Sequence, residues 1–494
     1  MRDIARALLL ASAVGLLAAC AMGPDYERPD VPMPETYQAP APPGVSLATL
    51  DWWQLFNDPE LVLLIETALR ENKELAIAMA RIEEARASLG FIRADQFPAI
   101  DVSAGAARGN NLIGASAPGE ISESFLLAAN FGFEVDLWGK LRRSTEAARA
   151  ELLATVEARN VVAISLIADV ASLYLLLLDL DDRVTVAQRT RKTREESLGI
   201  VRARFDKGTV PLIDVNQAEI ELGDAEAELA ALEREQRRGV NALSVLLGRS
   251  PGPVRRSSND PSQVLKTPGI PAGLPSELLE RRPDVRQASQ RLAAQTARIG
   301  VAEALRFPSL SLTGTLGLAS GELDDFISSD NKTWGISAGL LGPVFDAGRN
   351  KSRVEAERAR TEQLLNQYQF TVLRALQEVE DTLIAIETFQ REAQAREAQV
   401  TAARSAAELS RARYDGGVTS YLEVLDSDRS LFRAELLASS TRRQQVVAVV
   451  SLYKALGGGW PTEEEISAAG GFLPANLPPS GSTAAPSAEA SQNN

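Results

Sequence analysis

The sequence predicts an α+β protein, built from two internal repeats, that crosses a membrane with β-strands and continues into long α-helices. Three observations predict this fold. Sequence landmarks recur at a nearly constant offset, each copy contains two segments that alternate apolar with small polar residues, and each copy contains a very long stretch without proline. Such stretches are typical of extended helices, whereas strict alternation is typical of half-buried strands.

The internal repeat is the strongest of these signals. The segment 202–208, Arg-Ala-Arg-Phe-Asp-Lys-Gly, returns as Arg-Ala-Arg-Tyr-Asp-Gly-Gly at 411–417, an offset of 209 residues. Phe97-Pro98 returns as Phe307-Pro308 at an offset of 210. Chance similarity between alanine-rich helices would not keep one offset over such distances. We therefore predict two copies of one unit, residues 58–248 and 275–457, joined by a linker at 249–274 that is rich in Pro, Ser and Gly.

Each copy is predicted to contain two strands. They cover about 97–106 and 124–138 in the first copy, and about 307–318 and 333–345 in the second. Phe131 and Phe133, for example, alternate with Asn130 and Gly132. A length near 10 residues with one apolar face suits a strand that crosses a bilayer, and a strand of a soluble sandwich is the alternative.

The remaining parts of each copy are predicted to be helical. Helical segments open the copies at about 58–96 and 275–306, and long helices follow at about 140–205 and 348–413. Return helices then cover about 211–248 and 420–457. The long helices are rich in good helix formers, and at 1.5 Å per residue each would extend roughly 100 Å.

The N-terminus indicates export. Arg2 and Arg6 precede the apolar stretch 7–18, which fits a signal peptide over residues 1–19. The chain's single cysteine, Cys20, follows Leu-Ala-Ala in a pattern that resembles a bacterial lipobox, although a plain signal peptide is the alternative. The resemblance implies that Cys20 is lipidated, and Ala21 after it implies retention at the outer membrane. Residues 20–57 then form a lipidated tether, and the tail 458–494 is predicted to be disordered.

Composition excludes several classes of function. A net charge of −14 argues against nucleic acid as a partner, because phosphate contacts need clustered Lys and Arg. The absence of histidine and the single cysteine remove the common triads, redox pairs and metal sites. No nucleotide-binding or hydrolase motif is present. We therefore expect no catalytic site, no metal site and no cofactor other than the covalent lipid on Cys20.

Four strands cannot close a membrane barrel, because the smallest bacterial barrels have eight. An open sheet edge in lipid would leave backbone N–H and C=O groups unpaired. Several copies must therefore share one barrel, and two, three or four copies would give 8, 12 or 16 strands.

The sequence resembles the TolC family, in particular its outer-membrane efflux lipoproteins that serve tripartite pumps. The motifs that carry the resemblance are Gly-Pro-Asp-Tyr-Glu-Arg-Pro at 23–29, Trp-Trp-Gln-Leu-Phe at 52–56, Asp-Pro-Glu-Leu at 58–61, Leu-Glu-Arg-Arg-Pro-Asp-Val at 279–285, and Tyr-Leu-Glu-Val-Leu-Asp-Ser-Asp-Arg at 421–429. Their order and spacing cover nearly the whole mature chain.

This resemblance implies a homotrimer whose chains each give four strands to a 12-stranded transmembrane β-barrel, continued by a periplasmic α-helical coiled-coil barrel. It implies a passive exit duct for small molecules that works with a periplasmic adaptor and an inner-membrane pump. A duct for secreted polypeptides or metal ions is the alternative transport function. A lipid-anchored periplasmic coiled-coil scaffold is the alternative of another class, and it predicts no amphipathic strands.

The resemblance also assigns functional residues. Glu423 and Asp426, three residues apart on one helical face, are expected to line the closed periplasmic end of the tunnel. Asp214 and Tyr414 are expected to form contacts between neighbouring coiled coils that hold this gate shut. The helix-hairpin turns are expected to contact the adaptor through six residues: Lys207, Gly208, Thr209, Gly416, Gly417 and Val418.

Overall fold

The computed structural model describes residues 21–39, 58–109, 121–257 and 275–458. Within them the chain is mostly helical and contains one four-stranded sheet. The signal peptide, the lipidation site Cys20, the aromatic motif at 52–56, most of the linker 249–274 and the tail from 459 onward lie outside the described residues. The predictions for those segments stay predictions.

Within the described residues, the first half of the chain contains four helices and two strands. Helices α1 (Pro59–Glu71) and α2 (Lys73–Ala94) are followed by strands β1 (Ala99–Gly109) and β2 (Ser122–Val135). The long helix α3 (Lys140–Asp206) and the return helix α4 (Leu212–Leu246) complete this half.

The second half has the same order. After a 3₁₀ turn at Pro275–Glu277 come α5 (Leu278–Arg281), α6 (Pro283–Ala304), β3 (Ser309–Ser320) and β4 (Lys332–Leu341). The helices α7 (Arg349–Asp415) and α8 (Tyr421–Ala455) follow. The long helices α3 and α7 have 67 residues each, and the return helices α4 and α8 have 35 each.

The opening helical segment predicted over 58–96 is divided into two helices at Asn72. The Asn72 backbone N–H donates to the carbonyl of Ala68 at 2.9 Å, which ends α1. Its side-chain oxygen accepts the N–H of Leu75 at 2.9 Å, which caps the start of α2. One asparagine thus satisfies backbone groups of both helices.

Two strands end earlier than the alternation of the sequence indicated. Strand β2 stops at Val135 instead of 138, since the Asp136 carboxylate accepts the N–H groups of Leu141 and Arg142 at 3.1 and 2.9 Å and caps α3. Strand β4 stops at Leu341 instead of 345. Pro343 comes two residues later and has no N–H to continue the ladder.

The sheet is an antiparallel meander in the order β1-β2-β3-β4, so β1 and β4 form its two edges within one chain. Register places apolar side chains in rows across the strands: Val102 pairs with Ala129, Ala129 with Leu316, and Leu316 with Trp334. Leu316 is 67% exposed and Trp334 is 77% exposed. The apolar face of the sheet is therefore uncovered within the chain.

The other face of the sheet is polar. Asn130 donates to the hydroxyl of Ser103 at 3.1 Å, and the hydroxyl of Thr315 donates to Asn130 at 3.3 Å. Thr313 and Ser337 share a hydrogen bond of 2.7 Å. The predicted separation of apolar and polar faces is thus confirmed by the register of the strands.

The described chain divides into two units, and α3 and α7 contribute to both. The first unit contains residues 78–159 and 284–372 and the segment after Cys20. Here the buried guanidinium of Arg143 donates to the carbonyls of Met22 and Gly23 at 3.1 and 3.2 Å and to the carboxylate of Asp25 at 2.7 Å. The N-terminal segment, which has neither helix nor strand, is therefore fixed to α3.

The second unit contains residues 33–77, 160–283 and 373 onward. Its fully buried side chains include Tyr174, whose hydroxyl donates to the buried Asp58 at 2.6 Å. Among the described helices, α3 alone contains an 18-residue window apolar enough to cross a membrane, with a mean hydropathy of 2.4, and 61% of that window is buried inside the chain. A core helix of this kind meets the same criterion as a membrane span.

Candidate functional site

The first helix-hairpin turn joins α3 to α4 and closes on a glycine. The Gly208 N–H donates to the carbonyl of Phe205 at 2.7 Å, and the Thr209 N–H donates to the carbonyl of Arg204 at 3.0 Å. Gly208 has φ +71°, a conformation that favours glycine. This pair of bonds is a Schellman cap, which satisfies carbonyl groups at the end of α3.

The second turn joins α7 to α8 with the same geometry. The Gly417 N–H donates to Tyr414 at 3.0 Å and the Val418 N–H to Arg413 at 2.9 Å, with φ +72° at Gly417. The equivalent bonds in the two turns are 209 residues apart, like the sequence motifs. The six residues predicted to contact the adaptor are all exposed in these turns: Lys207, Gly208, Thr209, Gly416, Gly417 and Val418.

The two acids predicted to line the gate lie on the exposed face of the first turns of α8. Glu423 accepts a hydrogen bond from the hydroxyl of Thr419 and faces Arg413, with 3.4 Å between Nε and Oε1. Asp426 is exposed, and its carboxylate has no partner among the described residues. One acid is thus partly neutralised within the chain, and the other presents its full charge to solvent.

The opposite face of the same turns is buried. Tyr421, Val424 and Leu425 are each at most 6% exposed, and burial raises the pKa of Tyr421 to about 12. They pack in one cluster with residues of α3 and α4: Leu198, Val201, Val215 and Ala218. Apolar packing therefore fixes the position of α8, and this position presents Glu423 and Asp426 outward.

Asp214 and Tyr414 do not contact each other within the chain. Burial raises the pKa of Asp214 above the usual aspartate range, and its carboxylate has no hydrogen-bond donor among the described residues. The buried hydroxyl of Tyr414 interacts with Arg204 of the first turn, which raises the pKa of the Arg204 guanidinium, and this guanidinium lies 5.0 Å from the centroid of the tyrosine ring. Asp214 therefore has no hydrogen-bond donor among the described residues of its own chain, whereas Tyr414 contacts Arg204.

Further along the same helices lies a network of charged side chains, around the buried pair Arg194 and Glu221, that the sequence pattern did not predict. Glu221 of α4, whose side chain is 3% exposed, contacts Arg194 of α3 at 3.1 Å and also Arg429 of α8. Asp428 and Glu435 of α8 contact further arginines of α3 and α7: Arg189, Arg404 and Arg411. Their signal in the sequence was weak. Asp428 stands seven residues after the buried Tyr421, where an apolar residue is expected.

Comparison with known proteins identifies the molecule that carries these features. The family described as outer membrane efflux protein matches residues 64–249 and again residues 274–458. The chain belongs to this family. The two matches fall on the two halves that share one order of helices and strands.

Relatives agree over nearly their whole length. The chain is 34% identical over 468 residues to outer membrane protein OprJ of Pseudomonas aeruginosa. This match covers 92% of this chain and 95% of OprJ. It is 32% identical over 450 residues to the cation efflux system protein CusC of Escherichia coli, with 90% of this chain and 96% of CusC covered.

A solved structure agrees as well. The open state of the MtrE outer membrane channel of Neisseria gonorrhoeae matches with a TM-score of 0.80 and 32% identity, over 89% of this chain and 98% of MtrE. The protein is therefore an outer-membrane channel component of an efflux system that extends into the periplasm. Its family is a transport duct and not an enzyme, and the described strands contradict the alternative of a coiled-coil scaffold.

Proposed function

We propose that three copies of this chain form one channel, with a shared 12-stranded barrel to which each copy gives four strands. The observation that carries this proposal is the sheet itself, which has two open edges and one uncovered apolar face. Strand edges in lipid must be paired, so β1 of one copy pairs with β4 of the next. The polar face with Asn130 and Thr315 then lines the water-filled lumen.

Long helices from three copies form the periplasmic coiled-coil barrel of this proposal. The exposed apolar residues of α7 support it, because Phe370 is 54% exposed, Ile384 is 51% exposed and Leu409 is 62% exposed in a single chain. Large apolar side chains along an otherwise polar helix are covered when a neighbouring copy packs against them. The turns at Gly208 and Gly417 contact the periplasmic adaptor, which connects the duct to an inner-membrane pump.

The gate of the channel is formed by three copies of Glu423 and Asp426. Carboxylates brought together in this way repel each other and attract cations. Asp214 and Tyr414 provide the contacts that hold the gate shut, each between neighbouring coiled coils of the assembly. The carboxylate of Asp214, which has no hydrogen-bond donor among the described residues of its own chain, supports this assignment.

The cargo is a small organic molecule, as the similarity to an antibiotic efflux pump outer membrane protein, ArpC, and a toluene efflux pump outer membrane protein, TtgI, supports. Cation efflux is a second candidate, because CusC is a cation efflux system protein. The absence of histidine and the four methionines disfavour a lining built for soft metal ions. Growth on organic toxicants and on copper distinguishes the two cargoes, when a strain that lacks the gene is compared with the same strain after the gene is restored.

The channel is anchored by lipid on Cys20. The fixation of Met22 and Gly23 by Arg143 supports this, since it holds these first residues after the lipidation site beside the end of β2, where the Met22 N–H donates to the carbonyl of Trp138 at 3.0 Å. Mass spectrometry of the N-terminal peptide should find a diacylglycerol and an acyl group on Cys20. An unmodified thiol in the mature protein would refute the anchor.

One preparation tests the assembly. Purified protein in detergent should cross-link to a species of three chains, and it should give discrete conductance steps in planar bilayers. A delipidated monomer that stays in solution without detergent and conducts no current would overturn the proposal.

A further inference from the structure

The charged network around Glu221 connects the two helical hairpins of the chain. Glu221 lies on α4 of the first hairpin, and it contacts Arg194 on α3 of the same hairpin, with 3.1 Å between Nη2 and Oε2. Its other oxygen contacts Arg429 on α8 of the second hairpin. One carboxylate therefore holds arginines from both hairpins.

Arg194 is the fixed side of this arrangement. Its side chain is 8% exposed, Nη1 donates to the backbone carbonyl of Glu221 at 2.6 Å, and the guanidinium lies 5.3 Å from the ring centroid of Phe432. A buried guanidinium without a carboxylate is strongly unfavourable, so Arg194 and Glu221 hold each other in place.

Arg429 is the side that can move. Its side chain is 48% exposed, so water can solvate it when the contact with Glu221 breaks. Arg429 stands three residues after Asp426, which in turn stands three residues after Glu423. The contact therefore acts on the same turns of α8 that carry both gate acids.

We propose that Glu221 is a positioning residue of the gate: through Arg429 it holds α8, and with it Glu423 and Asp426, in the resting position. This inference rests on the proposed gate at those two acids. In this proposal the gate opens when the α7–α8 hairpin moves relative to α3 and α4, and that movement separates Arg429 from Glu221. Glu221 stays paired after this movement, because Arg194 remains in contact with its carboxylate.

The other ion pairs of the network do not replace this contact. Asp428 pairs with Arg411 at 2.9 Å, and both belong to the α7–α8 hairpin. Glu435 contacts Arg189 of α3 at 2.6 Å and Arg404 of α7 at 3.0 Å, two turns further from the gate acids. Near the gate acids, α4 and α8 are joined by the apolar cluster and by one ion pair, Glu221 with Arg429.

The test is the resting conductance of the full-length channel in planar bilayers with Glu221→Gln. We expect the open fraction to rise about tenfold or more, because a change of about 1.4 kcal/mol is enough for a tenfold shift. Arg429→Gln removes the Arg429 contact alone and should also raise the open fraction, and the double variant should open no further than Glu221→Gln, since Glu221→Gln already removes that contact. Additive effects would mean that the two residues act independently, and would overturn the proposal.

Glu219→Gln is the matched control. Glu219 lies two residues before Glu221 on the same helix, and it pairs with Arg202 of α3 at 2.5 Å, within one hairpin and exposed to solvent. Its replacement should leave the resting conductance unchanged. Thermal melting of the assembled channel monitors its stability. If Glu221→Gln and Glu219→Gln lose the same stability, that loss cannot explain why only one of them opens the channel.

Asp426→Asn separates this inference from the gate proposal. If Asp426→Asn weakens cation block while Glu221→Gln leaves the resting conductance unchanged, the gate stands and the positioning role of Glu221 is refuted. If Asp426→Asn changes neither conductance nor block, the gate proposal fails first, and the inference fails with it.

Discussion

At the scale of single residues, two carboxylates, one on each helical hairpin, have opposite roles because their surroundings differ. Glu221 is buried between arginines, so its charge is compensated and it serves to hold helices together. Asp426 is exposed without a partner among the described residues, so its charge acts on whatever passes it. The i, i+3 spacing was sufficient to predict that Glu423 and Asp426 share a face. The Glu221 contacts were not predictable, because its partners are 27 and 208 residues away in sequence.

Asp426→Asn tests the charge of the gate. Three carboxylates are neutralised at once in the assembled channel, and each attracts a nearby cation by up to about 1 kcal/mol in water. We therefore expect block by a divalent cation to weaken about tenfold and single-channel conductance to rise. Concentration–response curves of block in planar bilayers measure the effect. Asp206→Asn, at the exposed end of α3, is the control that should leave block unaltered.

At the scale of elements, helix and strand positions could be predicted from periodicity, whereas their ends depended on single side chains. The break at Asn72 and the early end of β2 at Asp136 both arise from a polar side chain that accepts backbone N–H groups. Such capping competes with continuation of the element, and periodicity does not register it. The docking of residues 22–25 on Arg143 was likewise unpredicted, because composition identified only an extended segment.

Arg143→Met should release this N-terminal segment from α3. The substitution removes charge-assisted hydrogen bonds to Met22 and Gly23, and each bond of this kind contributes about 1.5–3 kcal/mol. We expect the amide of Met22 to exchange with solvent about 100-fold faster, which hydrogen exchange with mass spectrometry measures. Arg149→Met, an exposed position on the same helix, should leave the exchange rate as it is. Unchanged protection in Arg143→Met would show that other contacts fix the segment.

At the scale of the whole molecule, the sequence predicted four strands, two copies of one unit and the need for further copies of the chain. It left their number open, because 8, 12 and 16 strands all close a barrel. The reason is physical: the register within a chain determines which residues face lipid, but the closure of the barrel depends on contacts that only the assembly contains. The rows of apolar residues through Ala129 and Leu316 determine which face of the sheet meets lipid. The number of copies in the proposed trimer determines the circumference of the barrel.

Leu316 and Thr315 test that assignment of faces, since they are neighbours on β3 and point to opposite sides of the sheet. Arginine at a lipid-facing position near the middle of a bilayer costs about 2–4 kcal/mol per chain, and three chains incur it together. Leu316→Arg should therefore prevent assembly in the outer membrane, seen as loss of the heat-modifiable oligomer on gels. Thr315→Arg places its charge in the water-filled lumen, so the channel should assemble and conduct less cation current. Equal assembly of both variants would contradict a lipid-facing role for the apolar rows.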